Sequence, residues 1–191
     1  MDIFEKALNF AVKAHEGMTR KTENIPYILH PVEVAAIAGS MTTDREVLAA
    51  AVLHDVVEDT PVTAEEIKKQ FGSRVAALVA SETENKRPDM PPAQSWRIRK
   101  EESLRELESC GDMAVKILWL SDKLSNIRSF YKMKLALGAV PWDNFNQSDP
   151  VQQEWYYSSV AQLTKELSDC PAWQEYDRLV KQVFERGQGD A

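Results

Sequence analysis

The chain has 191 residues, enough for one well-buried core and too few for two ordinary enzyme domains, so we expect one domain over residues 1–191. Its 23 basic and 30 acidic side chains give a formal net charge of −7, which disfavours binding of a nucleic-acid polymer, because phosphate neutralisation supplies most of that affinity. The longest apolar run, at residues 47–53, is too short to cross a membrane, and the N-terminus lacks a signal-peptide pattern, so the sequence predicts a cytoplasmic protein without a membrane partner.

Apolar residues recur with helical spacing almost throughout the chain, and this pattern predicts an all-α fold of about eight to ten helices. The predicted helices cover residues 3–15, a segment opened by Pro31, residues 45–60, 63–71, 73–83, 94–108, 112–137, 151–167 and 172–184. Asp44 is a predicted N-cap, and Thr63 with Glu66 forms a capping box.

Histidine occurs three times, and one occurrence directly precedes an aspartate: His54 and Asp55 end a run of small apolar residues. An ionisable pair at the end of a buried helix is unfavourable unless something compensates it, and a divalent cation does so. On a continuous helix, Glu58 would lie one turn beyond His54, and Asp59 one turn beyond Asp55. The segment therefore predicts a metal site with acid–base groups beside it.

Two further ligands must come from other helices, because adjacent residues on a helix point about 100° apart. His30 precedes Pro31, and Asp122 interrupts an apolar stretch, so we select His30 and Asp122. Each has an ordinary alternative explanation, since His30 is compatible with a satisfied loop histidine and Asp122 with an ion pair to Lys123 or Arg128. Neutral imidazole with carboxylate suits Mn²⁺, Fe²⁺ or Zn²⁺ better than Mg²⁺.

Basic residues gather at two places in this acidic chain. One is the pair Arg20 and Lys21, and the other runs from Lys86 through Arg99 to Lys100. For the second cluster we expect a solvated charged face. The first is a candidate anion site.

Four sequence blocks together resemble a known family. They are AVKAHEGMTRK at 11–21, PYILHPVEVAAI at 26–37, AAAVLHDVVEDTPVTAEEIKKQFG at 49–72 and LSDKLSNIRS at 120–129. They follow the order seen in the hydrolase domain of RelA/SpoT homologues, part of the HD superfamily. Within it, the chain is similar to the stand-alone small alarmone hydrolases, which include the metazoan SpoT homologue. The resemblance covers residues 4 to about 130, and helices at about 151–186 agree in character only.

The resemblance implies an HD-domain helical bundle that holds one Mn²⁺. It implies that the metal ligands are His30, His54, Asp55 and Asp122, and that Glu58 and Asp59 position and deprotonate the attacking water. Arg20 and Lys21 would flank the purine and its phosphates, Asn126 would contact the nucleotide sugar or base, and Ser129 would be a further substrate contact.

The implied reaction is hydrolysis of the 3′-diphosphate of guanosine tetra- or pentaphosphate, the alarmones of the stringent response, to GDP or GTP and pyrophosphate. Two alternatives stay open: a phosphohydrolase of another nucleotide, such as one removing the 2′-phosphate of NADPH, and a catalytically silent metal-binding HD module. Residues 22–25 depart from the family pattern, as do Ser121 and Ser125, which stand where alanine and an aromatic residue or histidine are common. Whether the protein is a monomer or a homodimer stays open, and for His15 we expect packing or support of the site.

Overall fold

A computed structural model describes residues 2–20 and 24–185, and these residues form ten α-helices, within the predicted range of about eight to ten. The helices are α1 Ile3–Ala14, α2 Leu29–Gly39, α3 Arg45–Leu53, α4 Val56–Asp59, α5 Ala64–Phe71, α6 Ser73–Ala80, α7 Pro92–Ser109, α8 Met113–Leu137, α9 Pro150–Leu163 and α10 Pro171–Phe184. Short 3₁₀ turns occupy Trp142–Asn144 and Lys165–Leu167. Within the described ranges, extended pairing is limited to one isolated bridge between Thr19 and Pro26.

Helices α3 and α8 form the centre of the molecule. Helix α3 packs against α1, α2, α6 and α8, and helix α8 packs against α2, α9 and α10. The last five residues of α3, at positions 49–53, are all fully buried, so this end of the helix is buried all round rather than amphipathic. A side chain carried at the end of α3 or in the middle of α8 therefore lies deep in the protein.

The ends of these two helices agree with the capping signals. The Asp44 side chain accepts a hydrogen bond from the Glu46 amide at 3.0 Å and begins α3, as predicted. The Asp112 side chain does the same for α8 through the Ala114 amide at 2.8 Å. Helix α8 ends at Leu137, and the next residue, Gly138, has a φ of 82°, in the left-handed region that glycine enters without strain. The Thr63–Glu66 capping box is also present.

The predicted continuous helix through residues 45–60 is wrong. Helix α3 stops at Leu53, His54 and Asp55 form a turn, and α4 is a separate helix of four residues. The Ala51 carbonyl, which would accept the Asp55 amide in a continuous helix, receives a hydrogen bond from Nδ1 of His54 at 2.8 Å. The histidine side chain thus competes for a backbone acceptor of its own helix, and the turn redirects the residues that follow.

The predicted beginning of α2 is also shifted. The helix begins at Leu29, so His30 is its second residue instead of preceding it, and Pro31 is the third. Pro31 is tolerated there because the first four amides of a helix have no partner within the helix. In residues 2–20 and 24–185, no helix combines the length and apolar character needed to span a membrane.

Candidate metal centre and active site

Three separate parts of the fold bring the predicted ligands together. His30 comes from the first turn of α2, His54 and Asp55 from the turn after α3, and Asp122 from the middle of α8. His30, His54 and Asp122 each offer one ligand atom within 4.8 Å of the others. Asp55 joins them through Oδ2, which lies 3.5 Å from His30 Nε2 and 3.0 Å from His54 Nε2. Oδ1 of Asp122 lies 3.1 Å and 3.6 Å from the same two nitrogens.

The hydrogen-bond partners of His54 leave it with a lone pair that suits a bound cation. A backbone carbonyl only accepts, so the bond to Ala51 places a hydrogen on Nδ1 of His54. The neutral ring then presents an unprotonated Nε2, a buried atom without a hydrogen-bond partner. That lone pair faces carboxylate oxygens, which is unfavourable unless a cation lies between them.

The electrostatics of the cluster support the same conclusion. Burial alone would lower the pKa of His54, but Asp55 and Asp122 raise it well above its ordinary value. Burial alone would raise the pKa of Asp122, but Lys123 and the two imidazoles hold it well below its usual range. The cluster therefore attracts a proton when no metal is bound, and two imidazole nitrogens with two carboxylate oxygens are a donor set that fits a divalent transition metal.

Asp122 has an additional partner that the sequence left open. Its Oδ2 forms an ion pair with the Lys123 ammonium, whose other acidic neighbour is Glu82 at 3.3 Å. All three side chains are buried. Asp122 thus both faces the histidines through Oδ1 and neutralises a buried lysine through Oδ2.

Glu58 and Asp59 lie on α4, directly beside the cluster, and their environments differ. The Tyr27 hydroxyl lies 3.0 Å from Asp59 Oδ2, and Lys86 donates to Asp59 Oδ1 at 2.9 Å. Glu58 accepts a backbone bond from the Glu84 amide at 3.2 Å, and the Lys86 ammonium is farther from its other oxygen, at 3.6 Å. Burial and the nearby Asp55 raise the pKa of Glu58. Of the two carboxylates, Glu58 is the one whose environment suits a proton acceptor.

A cavity of about 400 Å³ opens onto these residues. Arg20 and Asn126 both line it and bond to each other, Nη2 to Oδ1, at 2.9 Å. An adjoining cavity of about 260 Å³ shares both residues and adds Ser129. Lys21, predicted beside Arg20, lies outside the described residues. The loop holding Arg20 is closed at its base by two backbone bonds, Arg20 to Ile25 at 3.0 Å and Tyr27 to Met18 at 2.9 Å.

Several residues of the cavity were missed by the sequence interpretation. The solvated face expected for the second basic cluster is wrong for Arg99 and Lys100, which line the cavity and pair with Glu84, Lys100 at 2.5 Å. Their position on α7 carries no local signal, because the cavity forms only when α7 packs near the segment that holds Glu84.

Tyr27 is the second omission. Its hydroxyl lies 2.6 Å from Asp55 Oδ2 as well as 3.0 Å from Asp59 Oδ2, and burial together with these two carboxylates raises its pKa. The tyrosine therefore stays protonated and links a candidate ligand to the candidate catalytic pair. His15 is buried and packs its ring 4.9 Å from that of Tyr27, a position that agrees with a packing role.

Comparisons with known proteins indicate the family of this chain. The family model described as "HD domain" matches residues 7–137. The guanosine-3′,5′-bis(diphosphate) 3′-pyrophosphohydrolase of Aquifex aeolicus is 39% identical over 66% of this chain and 18% of its own length. The enzyme of the same name from Danio rerio is 39% identical over 64% of this chain and 66% of its own.

A solved structure of a metazoan ortholog of SpoT, described as hydrolysing ppGpp, matches with a TM-score of 0.75 and 26% identity over 95% of this chain and 96% of that one. The chain spans less than two thirds of the length of the two curated relatives. The family model, however, covers well over half of this chain, and its match includes all four candidate ligands. The chain belongs to the HD domain family.

Proposed function

We propose that this chain hydrolyses the 3′-diphosphate of guanosine tetra- or pentaphosphate, giving GDP or GTP and pyrophosphate, with one Mn²⁺ as cofactor. The observation that carries the proposal is the convergence of two imidazole nitrogens and two carboxylate oxygens beside Glu58 at the floor of an open cavity. The names of the Aquifex and Danio relatives support the choice of substrate.

His30, His54, Asp55 and Asp122 would hold the metal. A bound divalent ion lowers the pKa of water and polarises a phosphoryl oxygen. Mn²⁺ is our choice within the donor preference of the site, and Fe²⁺ or Zn²⁺ suits the same ligands.

Glu58 takes the proton of the attacking water at its carboxylate. Water oxygen bonds to the phosphorus attached to the 3′-oxygen, and the bond between that phosphorus and the 3′-oxygen breaks. The leaving 3′-oxygen takes a proton from solvent, and Glu58 returns its proton to solvent. Asp59 orients the water and the neighbouring groups, since Tyr27 and Lys86 engage both of its oxygens. In this proposal Glu58 is the general base, and Asp59 positions the attacking water.

The substrate would lie along the cavity wall formed by α8 and the loop before α2. Arg20 and Asn126 are joined there, and Ser129 lies one turn further along α8. Arg99 and Lys100 add positive charge on the α7 side, which offsets substrate phosphates in a protein of net charge −7. Lys21 stays a predicted contact, and a cytoplasmic location and one domain over residues 1–191 stay predictions.

The experiment is a product analysis. Mn²⁺-loaded protein is offered guanosine tetraphosphate, guanosine pentaphosphate and NADPH, and the released phosphate is identified as pyrophosphate or orthophosphate. The proposal expects GDP or GTP with one equivalent of pyrophosphate. Orthophosphate from NADPH alone would favour the 2′-phosphatase, and no turnover of any of the three would favour a silent module. Asp55→Ala, which removes a ligand, serves as the inactive control.

A further inference from the structure

On the side away from the candidate metal position, the ring of His30 is held by a series of hydrogen-bonded side chains. Its Nδ1 lies 2.9 Å from Oγ of Ser125, and the same Oγ lies 2.8 Å from Oε2 of Glu33. Ser125 is buried on α8, three residues after Asp122, and Glu33 is one turn beyond His30 on α2. We call these three residues the Glu33–Ser125–His30 chain.

The direction of the hydrogen bonds in this chain follows from its members. A carboxylate only accepts, and a serine hydroxyl has one hydrogen to donate. Ser125 therefore donates to Glu33, and its oxygen accepts from His30. The hydrogen of that second bond must be on Nδ1. The neutral ring is then left with its lone pair on Nε2, the nitrogen that faces Asp55 and Asp122.

The far end of the chain is fixed by a second set of contacts. Nη1 of Arg128 lies 3.0 Å from Oε1 of Glu33, and the same guanidinium binds both carboxylate oxygens of Glu175 on α10, at 2.8 and 2.7 Å. A bidentate arginine–carboxylate contact fixes the orientation of the guanidinium in addition to pairing the charges. Glu33 is thereby held with one oxygen on Arg128 and the other on Ser125.

The two histidines of the cluster are thus oriented by different means. His54 uses a backbone carbonyl of its own helix, so no substitution at another position removes its partner. His30 depends on side chains from α2 and α8, and the link between them is Ser125.

We propose that Glu33 and Ser125 are positioning residues that keep the hydrogen of His30 on Nδ1 and aim Nε2 at the metal. The inference rests on the proposed function for the presence of a metal, and the hydrogen on Nδ1 is an independent claim. Partners of this kind orient ligands, and their loss weakens metal affinity about 10- to 100-fold.

The test compares three serine variants. Ser125→Ala removes the link, Ser125→Thr keeps a hydroxyl, and Ser121→Ala is the matched control, because Ser121 is buried on the same helix but donates to the Ile117 carbonyl at 2.7 Å. Mn²⁺ dissociation constants come from titration calorimetry, and circular dichroism checks that each variant is folded. We expect an increase of about 10- to 100-fold for Ser125→Ala, with Ser125→Thr and Ser121→Ala close to the unsubstituted protein.

The second readout needs neither metal nor substrate. Long-range ¹H–¹⁵N NMR of the metal-free protein, recorded at a pH high enough for the His30 ring to be neutral, reports whether Nδ1 of His30 carries the hydrogen. We expect the shift of a protonated nitrogen in the unsubstituted protein and a move toward the unprotonated range in Ser125→Ala. An unprotonated Nδ1 in the unsubstituted protein, or undiminished Mn²⁺ affinity in Ser125→Ala, would overturn the proposal. Failure of the unsubstituted protein to bind Mn²⁺ would instead overturn the proposed function, and the NMR result would still decide the assignment of the hydrogen.

Discussion

Replacing Glu58 by glutamine separates metal binding from proton transfer. Glutamine keeps the shape of the side chain, and its carbonyl oxygen accepts the same 3.2 Å bond from the Glu84 amide that Glu58 Oε2 accepts. The residue is not among the four that converge on the candidate metal position. We therefore expect Glu58→Gln to be folded and to bind Mn²⁺ with the affinity of the unsubstituted protein.

We expect turnover to be lost because the neighbouring Asp59 is poorly suited to replace Glu58 as general base. Asp59 is the nearest alternative base, but Tyr27 lies 3.0 Å from one of its oxygens and Lys86 donates to the other at 2.9 Å. A general base contributes about 10²- to 10⁴-fold, so kcat should fall by that factor, equivalent to about 2.7–5.5 kcal/mol in the activation barrier.

The assay measures pyrophosphate release at saturating Mn²⁺ and guanosine tetraphosphate. Glu106→Gln, an identical change at an exposed position of α7, is the matched control and should retain full turnover. If Glu58→Gln turned over within a few-fold of the unsubstituted protein, Glu58 would have no role as base. If it lost Mn²⁺ binding as well, the separation between ligands and base would be wrong.

Three further predictions concern the N-cap of α3, the contact between Tyr27 and Asp55, and stabilisation by bound Mn²⁺. Asp44→Ala should lower the free energy of unfolding by about 1 kcal/mol in urea titrations, and Asp44→Asn by less, because only alanine removes the N-cap acceptor. Arg74 lowers the pKa of Asp44 in the folded protein, so the stabilisation by the ionised cap is complete above the pKa that Asp44 has in the unfolded chain. The loss of stability in Asp44→Ala should therefore shrink as pH falls through the lower pKa of the folded state. A loss that does not change with pH would contradict this. Tyr27→Phe should weaken Mn²⁺ affinity about 10-fold by calorimetry, since the hydroxyl orients Asp55. Unchanged affinity would mean that the hydroxyl orients Asp59 and not the metal ligand. Mn²⁺ at 100 times its dissociation constant should stabilise the protein by about 2.7 kcal/mol, seen as a higher Tm that a chelator reverses and that Asp55→Ala lacks.

Much of the fold could be predicted because its signals are local. The periodicity of apolar residues and the caps at Asp44 and Thr63 act within one helical turn, and both are present in the structure. The break after Leu53 could not be predicted this way. It depends on His54 bonding to the carbonyl of Ala51, a competition that helical periodicity does not record.

Part of the candidate site could be predicted from the sequence, and part could not. Residues of the His-Asp motif are recognisable from type and spacing, and the structure places His30 and Asp122 beside them. Contacts between distant elements have no such signal. Tyr27 reaches Asp55 across 28 positions, and Ser125 reaches Glu33 across 92, so each link exists only after the helices have packed.

Diffraction at the manganese absorption edge would test the central claim most directly. Crystals grown with Mn²⁺ should show one anomalous peak per chain, enclosed by Nε2 of His30 and His54 and by carboxylate oxygens of Asp55 and Asp122. A peak bound instead by Glu58 and Asp59, or no peak among the four side chains at saturating Mn²⁺, would contradict the account.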